Sequence, residues 1–217
     1  MDAPVVGRMA SLVGLLLCGC NEFTVRQTED LPPAQPPGEG DGDDFGDAPD
    51  WNDCPTGYVG RFFNLPFDHP DMEPDPDADT IIDDPDLLDW WSDDRLSFER
   101  FEPSLEYGSG WWPVDEGLAD DPAYFSARWT AWIRVNEALP VELVLGAVSD
   151  VFVFVDGDLV ASVVGSDELD APIVELDLPT GQFPLEFRYA HRMGESGLRA
   201  RFVSEHVAVC YPDFTGD

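Results

Sequence analysis

Apolar and polar residues alternate along most of the chain from residue 58 onward, and a period of two residues is the pattern of β-strands. The clearest example is residues 125–135, where Phe125, Trp129 and Ile133 fall on one face and the two arginines of the segment fall on the other. No long segment carries a 3.6-residue apolar stripe free of helix breakers. The pattern predicts an all-β fold, an antiparallel β-sandwich or barrel of many short strands. The predicted strands are residues 58–65, 125–135, 141–148, 151–155, 173–178, 183–190, 198–203 and 207–211.

The strongest local signal is the segment SDVFVFVDGDLVAS, residues 149–162. The valines of residues 151–155 point to one side and the phenylalanines to the other, so both faces of this strand are apolar. Such a strand is expected at the centre of a sheet, covered on both sides. Asp156-Gly157 suits the positive φ angles of a two-residue hairpin turn, and Leu159 begins the returning strand. The register is expected to be strongly specified, because a slip of one residue would exchange the two faces.

The first 19 residues read as an export signal. An apolar run follows Arg8 and ends at Leu17, which is too short to span a bilayer but fits a secretory signal. Its end, Leu17-Cys18-Gly19-Cys20, resembles the bacterial lipoprotein signal. This resemblance implies cleavage before Cys20 and a lipid on that residue, with residues 1–19 removed. An ordinary cleaved signal and a buried apolar segment are the alternatives.

Residues 20–53 are rich in Pro, Gly and Asp and predict a disordered tether that holds the folded part away from a membrane. The folded domain is predicted over residues 54–212, with a short tail at 213–217. If Cys18 leaves with the signal and Cys20 is acylated, Cys54 and Cys210 remain, and an exported protein usually pairs such thiols. Closing so long a loop stabilises by up to about 5 kcal/mol in the chain-entropy model. A metal-binding cysteine pair is the alternative, but the CxxC spacing is absent.

The charge of the chain limits its partners. There are 45 Asp and Glu against 11 Lys and Arg, a formal net charge of -34. Nucleic acid is therefore not an expected partner, since phosphate contacts need clustered basic residues. Adsorption to an anionic membrane is disfavoured as well, so membrane contact is expected only through the N-terminal lipid. Cations and neutral ligands such as glycans suit the charge better, and solubility alone is the plainer explanation.

Two groups of residues are candidates for binding calcium, which takes six to eight oxygen ligands. One is near the predicted hairpin. The other lies at the start of a segment rich in aspartate, residues 68–94, that reads as loops with one turn of helix near residues 87–91. The alternative in both groups is a structural role in turns and strand ends. No EF-hand pattern is present. The candidate ligands are Asp150, Asp156 and Asp158 in the first group and His69, Asp71 and Glu73 in the second.

Two tryptophan pairs are candidates for a sugar-stacking surface, with burial in the core as the alternative: Trp90 with Trp91, and Trp111 with Trp112. Adjacent strand residues face opposite ways, so one of each pair is expected in the core. The chain has three histidines and neither a G-x-S-x-G nor an HExxH motif nor a Cys-His arrangement. The protein is therefore predicted not to be an enzyme.

Four segments in order resemble one family. They are HPDME at residues 69–73, FSARW at 125–129, SDVFVFVDGDLV at 149–160 and YAHRMGESG at 189–197. Together they are similar to the fibro-slime domain, a relative of the protective-antigen-type (PA-14) β-sandwich, over residues 54–210. The resemblance implies a secreted or surface-attached bacterial protein. In some relatives it also implies calcium-dependent sugar binding through two adjacent aspartates. The matching positions here are Ser149-Asp150-Val151, with Val151 in the place of the second aspartate.

The predicted function is non-catalytic binding at a bacterial surface, to a glycan or an extracellular matrix polymer, with calcium as the candidate cofactor. The protein is expected to be exported and lipid-anchored to the outer membrane or the cell surface. One alternative is a structural or assembly module that contacts other surface proteins. The other is an accessory or remnant glycoside-active protein.

Overall fold

The computed structural model describes residues 48–65, 85, 90–111, 113, 124–191 and 195–211. The described residues include the short 3₁₀ helix Asp93–Arg95 and a 3₁₀ position at residue 85, and the other regular elements are β-strands. The strands are β1 (Tyr58–Leu65), β2 (Leu96–Glu102), β3 (Leu105–Ser109), β4 (Tyr124–Val135), β5 (Val141–Val155), β6 (Asp158–Ser166), β7 (Ile173–Leu176), β8 (Gly181–Ala190), β9 (Gly197–Phe202) and β10 (Val207–Cys210).

All the strand pairs are antiparallel, and they form two sheets that share β5. The first sheet has the order β2-β1-β4-β8-β5-β6, with β10 beside the end of β4. The second sheet has the order β3-β9-β5-β7. Residues 149–155 of β5 pair in the first sheet and residues 141–148 in the second, so the sheets curl around one core as a half-barrel. The predicted all-β antiparallel fold is confirmed.

The core lies between the two sheets and is built from the alternating positions of their strands. On β4, the inward residues Phe125, Trp129 and Ile133 are completely or almost completely buried. They meet the inward residues of β8 and β5 from the same sheet and Leu143 and Leu145 from the other. Full burial of each large apolar side chain contributes roughly 1.5–3 kcal/mol relative to exposure, which makes this interface the main stabilising element.

The β5–β6 hairpin forms as the sequence predicts. Residues 151–155 are all buried, and β5 pairs with β8 on one side and β6 on the other, so the strand is central. Asp156 (φ 54°) and Gly157 (φ 82°) make the turn, and two successive positive φ angles are typical of type I′. Trp91 covers the phenylalanine face by contacting Phe152, with ring centroids 6.3 Å apart.

Two features differ from the predicted strands. β2 and β3 have no counterpart in the prediction; in β2 the inward positions include a charged pair, which breaks the apolar period. β5 is one strand of 15 residues rather than two, and it bends where Ser149 adopts a φ of 79°. The helical turn expected near residues 87–91 falls mostly outside the described residues.

The disulfide between Cys54 and Cys210 joins the chain just before β1 to the end of β10, with a Cα–Cα distance of 5.7 Å. Residues 51–53 form a turn, and the Arg134 guanidinium lies over the Trp51 ring at 4.6 Å. The folded domain therefore includes residues just before Cys54 that the sequence assigns to the tether. The signal segment, Cys20 and most of the tether lie outside the described residues.

The turn residue Asp156 makes stability depend on pH. Partial burial raises the pKa of Asp156, and the charge of Asp158 raises it further. A carboxyl group whose pKa is raised by folding stabilises the fold while it is protonated and loses that contribution as pH rises through the folded pKa. We therefore expect Asp156→Asn to raise the melting temperature at pH 7. The gain should be only about 1–2 °C, because solvent screens the charge of an exposed carboxylate. Asparagine also suits the turn.

Melting curves at pH 7 and at pH 3 test this effect. The gain should shrink at pH 3, where the wild-type carboxyl group is largely neutral. The matched control is Asp167→Asn, at an exposed position outside the turn, which should leave both curves unchanged. An equal gain at both pH values would mean that turn geometry alone, and not charge, causes it.

Candidate functional site

The half-barrel is open between β2 and β3. These strands follow each other in the chain, but β2 is the edge of the first sheet and β3 is the edge of the second, and no ladder joins them in the described part of the chain. Side chains of both strands, and of the residue that closely follows β3, meet in this opening. We call this set the seam; it consists of Phe98, Arg100, Glu102, Tyr107 and Trp111.

Aromatic rings form the walls of the seam. Tyr107 stacks on Trp111 with a centroid distance of 4.1 Å and an interplanar angle of 12°. On the other side, Phe98 stacks on the buried Phe62 at 4.6 Å and 14°. Tyr107, Trp111 and Phe98 are all half-buried residues that pack against the core. Trp111 also meets Phe62 edge-on at 6.3 Å, which connects the two walls.

A charged pair lies between these rings. Arg100 Nε donates to the Glu102 carboxylate, and only 7% of Glu102 is exposed. The Arg100 guanidinium also lies 4.9 Å above the Phe62 ring, a cation–π contact that holds it against the aromatic floor. Both charged side chains point inward because they alternate with Glu99 and Phe101 along β2. The seam therefore offers fixed donors and acceptors beside flat rings.

Two polar atoms are buried behind the aromatic wall. They are Tyr107 Oη and Trp129 Nε1. Burial raises the pKa of Tyr107, and the negative charge of the neighbouring Glu102 raises it further, so this hydroxyl group stays protonated. The Glu102 carboxylate and the Trp129 indole both lie beside the Tyr107 hydroxyl group, so the three polar groups form one buried cluster.

The space for the Trp129 indole comes from Gly60. A Cβ atom on Gly60 would lie 2.7 Å from Trp129 Nε1 and 2.8 Å from its Cδ1 atom. Gly60 pairs with Arg100 on β2 and with Trp129 on β4, so it separates the charged pair from the indole. Because Gly60 has no side chain, the Arg100–Glu102 pair and the Trp129 indole can face the same part of the interior.

A second polar region lies where β5 passes between the sheets. Asp150 is completely buried, and its Oδ1 atom accepts a hydrogen bond from the Gly165 N–H at 2.7 Å. Nearby, Tyr189 Oη donates to the Val148 carbonyl at 3.0 Å and accepts from the Gly197 N–H at 3.2 Å. We call this region the corner. Its hydrogen bonds hold the bend of β5 in place.

The three candidate calcium ligands of the hairpin do not converge. Asp150 stands at the corner, whereas Asp156 and Asp158 stand at the turn, and residues 151–155 separate them in extended form. At 3.3 Å per residue this distance is roughly 20 Å, so the prediction of one shared ion site is wrong. Within the described ranges, no group of three or more His, Cys, Asp or Glu side chains is placed to hold a metal ion. His69, Asp71 and Glu73 lie outside those ranges.

The predicted tryptophan pairs separate into different roles. Trp90 is completely buried, so it cannot stack on a ligand, and its prediction as a binding residue is wrong. The Trp91 indole N–H donates to the carbonyls of Ala127 and Tyr189 at 3.1 and 3.3 Å, which fixes this ring against the first sheet. Trp111 belongs to the seam. Trp112 is outside the described residues.

The sequence reasoning missed four seam residues: Phe98, Arg100, Glu102 and Tyr107. The available signal was the alternation of Phe98, Arg100 and Glu102, which places two charged residues on the same face as an aromatic one. A charged pair on an inward face is a signal for a site and not for an ordinary core strand.

An apolar cleft of about 380 Å³ lies at the opposite end of the half-barrel from the corner. Tyr58, Leu105 and Phe202 contribute to its lining, with Val207 and Val209 from β10. In the part of the chain that the structure describes, no helix is long and apolar enough to cross a membrane.

Comparison with known proteins identifies the fold but not a family. No protein-family model matches the chain, and no curated protein matches it. Among solved structures, the chain is similar to the A domain of Epithelial Adhesin 9 from Candida glabrata in complex with Galb1-4GlcNAc. That match has a TM-score of 0.51 and 10% identity, and it covers 77% of this chain and 95% of the adhesin chain.

Two further structures match at a TM-score of 0.50. One is a subtype-switched Epithelial Adhesin 9 to 1 A domain from Candida glabrata in complex with beta-lactose, at 12% identity over 78% of this chain and 93% of the other. The other is an anti-sigma factor domain-containing protein, at 15% identity over 75% of this chain. The chain spans 49% of the length of that protein. The fold is therefore all-β and PA-14-like.

Gly60 is the position at which the seam is most sensitive to added volume. We expect Gly60→Ala to lower the free energy of unfolding by about 1–3 kcal/mol, because its methyl group would displace the buried Trp129 indole. Chemical denaturation measures this loss, and tryptophan fluorescence reports the displaced ring. Gly110→Ala is the control: nothing lies within 4 Å of its Cβ, so only its φ of 73° opposes the change, at about 1 kcal/mol. Equal losses with unchanged fluorescence would contradict this role of Gly60.

Proposed function

We propose that this protein is an exported, non-catalytic binding module that recognises a glycan or matrix polymer at a bacterial cell surface. The observation that carries the proposal is the seam, in which half-buried aromatic residues flank a fixed Arg100–Glu102 pair. Binding sites for small polar ligands commonly combine aromatic walls with a few fixed polar groups. The similar PA-14-like folds of two adhesin domains, solved with Galb1-4GlcNAc and beta-lactose, support glycans as the ligand class.

The position of the disulfide supports attachment at the N-terminus. Cys210 pairs with Trp132 near one end of β4, whereas Ser126 at the other end pairs with Ala190, which in turn pairs with Asp150. The chain therefore enters the domain at the end away from the corner. An N-terminal lipid on Cys20 and a spacer over residues 21–47 would leave that far end facing outward. A disulfide also suits an oxidising compartment outside the cytoplasm.

We further propose that the domain is a member of the fibro-slime branch of PA-14-like folds and that its binding does not require calcium. At the corner, the described residues offer the single carboxylate of Asp150, and the neighbouring Val151 is completely buried and brings no oxygen. These residues do not fit an ion that takes six to eight oxygen ligands.

A glycan array tests this function. The full chain is applied to an array of glycans and matrix polysaccharides in about 2 mM calcium and, separately, in EDTA. This calcium concentration is on the order of the dissociation constants of extracellular calcium sites. We expect binding to at least one neutral glycan, equal in both buffers, and no hydrolysis of the bound polymers. A folded protein that binds no glycan in either buffer would contradict the proposal and favour an assembly module. Hydrolysis lost on changing one carboxylate would favour a glycoside-active protein instead.

A further inference from the structure

We infer that the seam is the sugar site, that one ring of a neutral glycan stacks on the Tyr107–Trp111 pair, and that its hydroxyl groups bind the Arg100–Glu102 pair. This inference rests on the proposed function and names its site and ligand class. It assigns binding to β2 and β3, at the open edge of the half-barrel, and not to the corner on β5.

The aromatic geometry fits a sugar ring. A pyranose has one face made largely of C–H groups, and this face packs well on a flat aromatic surface. Tyr107 and Trp111 are parallel to within 12° and both keep part of their surface accessible. Trp111 is fixed from behind by edge contacts with Phe62 at 6.3 Å and Phe125 at 5.1 Å. The stack is therefore preorganised, and little conformational entropy is lost on binding.

The charged pair fits the rim of such a ring. Vicinal hydroxyl groups both donate and accept, so they pair best with a carboxylate and a guanidinium placed side by side. Arg100 and Glu102 are two residues apart on one strand face and are already paired with each other. The pair is close to neutral as a unit, which suits an uncharged glycan better than an anionic one.

The Tyr107 hydroxyl group adds a hydrogen-bonding atom to the charged pair. It lies beside the Glu102 carboxylate and the Trp129 indole. A sugar hydroxyl group that reaches this cluster would join its hydrogen bonds, whereas an apolar ligand would add none.

The test separates binding from folding through one hydroxyl group. In the free protein, Tyr107→Phe removes one hydroxyl group from the buried polar cluster and keeps the ring, so the protein should still fold, as its melting curve will show. Its affinity for the sugar should nevertheless fall about tenfold, since one hydrogen bond in a polar site is worth about that factor. Trp111→Ala should abolish binding. The matched control is Trp51→Ala, which removes a half-buried tryptophan that packs against Arg134 outside the seam and should leave affinity unchanged.

Neutral gluco-, xylo-, galacto- and manno-oligosaccharides serve as probes, titrated by calorimetry with the full chain in EDTA and, separately, in calcium on the order of 1 mM. If the wild type binds a probe and Tyr107→Phe binds it equally well, the seam assignment is wrong while the proposed function stands. Binding that is lost in EDTA or in Asp150→Asn, and kept in both seam variants, would place the sugar at the corner. If the wild type binds no probe and no glycan on the array, the proposed function and this inference both fail.

Discussion

The fold depends on one strand that passes from one sheet to the other. β5 pairs with β9 and β7 through its first half and with β8 and β6 through its second half. The bend needs an unusual backbone at Ser149, whose φ is 79°, and the buried Asp150 carboxylate holds the adjoining strand through the Gly165 N–H. Because β5 joins the sheets on this side, β2 and β3, which are the edge strands farthest from β5 in each sheet, face each other on the opposite side. The seam is thus a consequence of how the sheets are joined.

The chain uses its few basic residues within the fold. Arg61, Arg128 and Arg188 are directly opposite one another on β1, β4 and β8, on the face of the first sheet away from the core. Arg128 Nη2 lies 2.8 Å from Glu186 Oε2, and Arg188 pairs with the other oxygen of Glu186, which is 6% exposed. The Glu186 carboxylate thus bridges two arginines of the row, one on each oxygen, which offsets the repulsion between their positive charges. The remaining surface keeps the strong negative charge, which disfavours anionic partners.

The sequence predicted the elements whose pattern is local and missed those that depend on tertiary contacts. The central hairpin was predictable because two apolar faces and Asp156-Gly157 specify both its burial and its turn. β2 was missed because Arg100 and Glu102 face inward and hide the apolar period. Aspartates close in sequence looked like one ion site, but an extended strand carries Asp150 and Asp158 to opposite ends. The polar cluster behind the seam joins residues 102, 107 and 129, which no sequence spacing connects.

The most direct test of this account is native-state hydrogen exchange along β5, because one continuous strand is claimed to hold both sheets. The account predicts that the amides of residues 141–148 and of residues 151–155 exchange through the same opening reaction, with equal free energies close to that of global unfolding. Equal dependence on denaturant in the two halves would support this. If residues 141–148 exchange with β7 and β9 through a separate, lower-energy opening while residues 151–155 stay protected, the sheets are independent units and the account is contradicted.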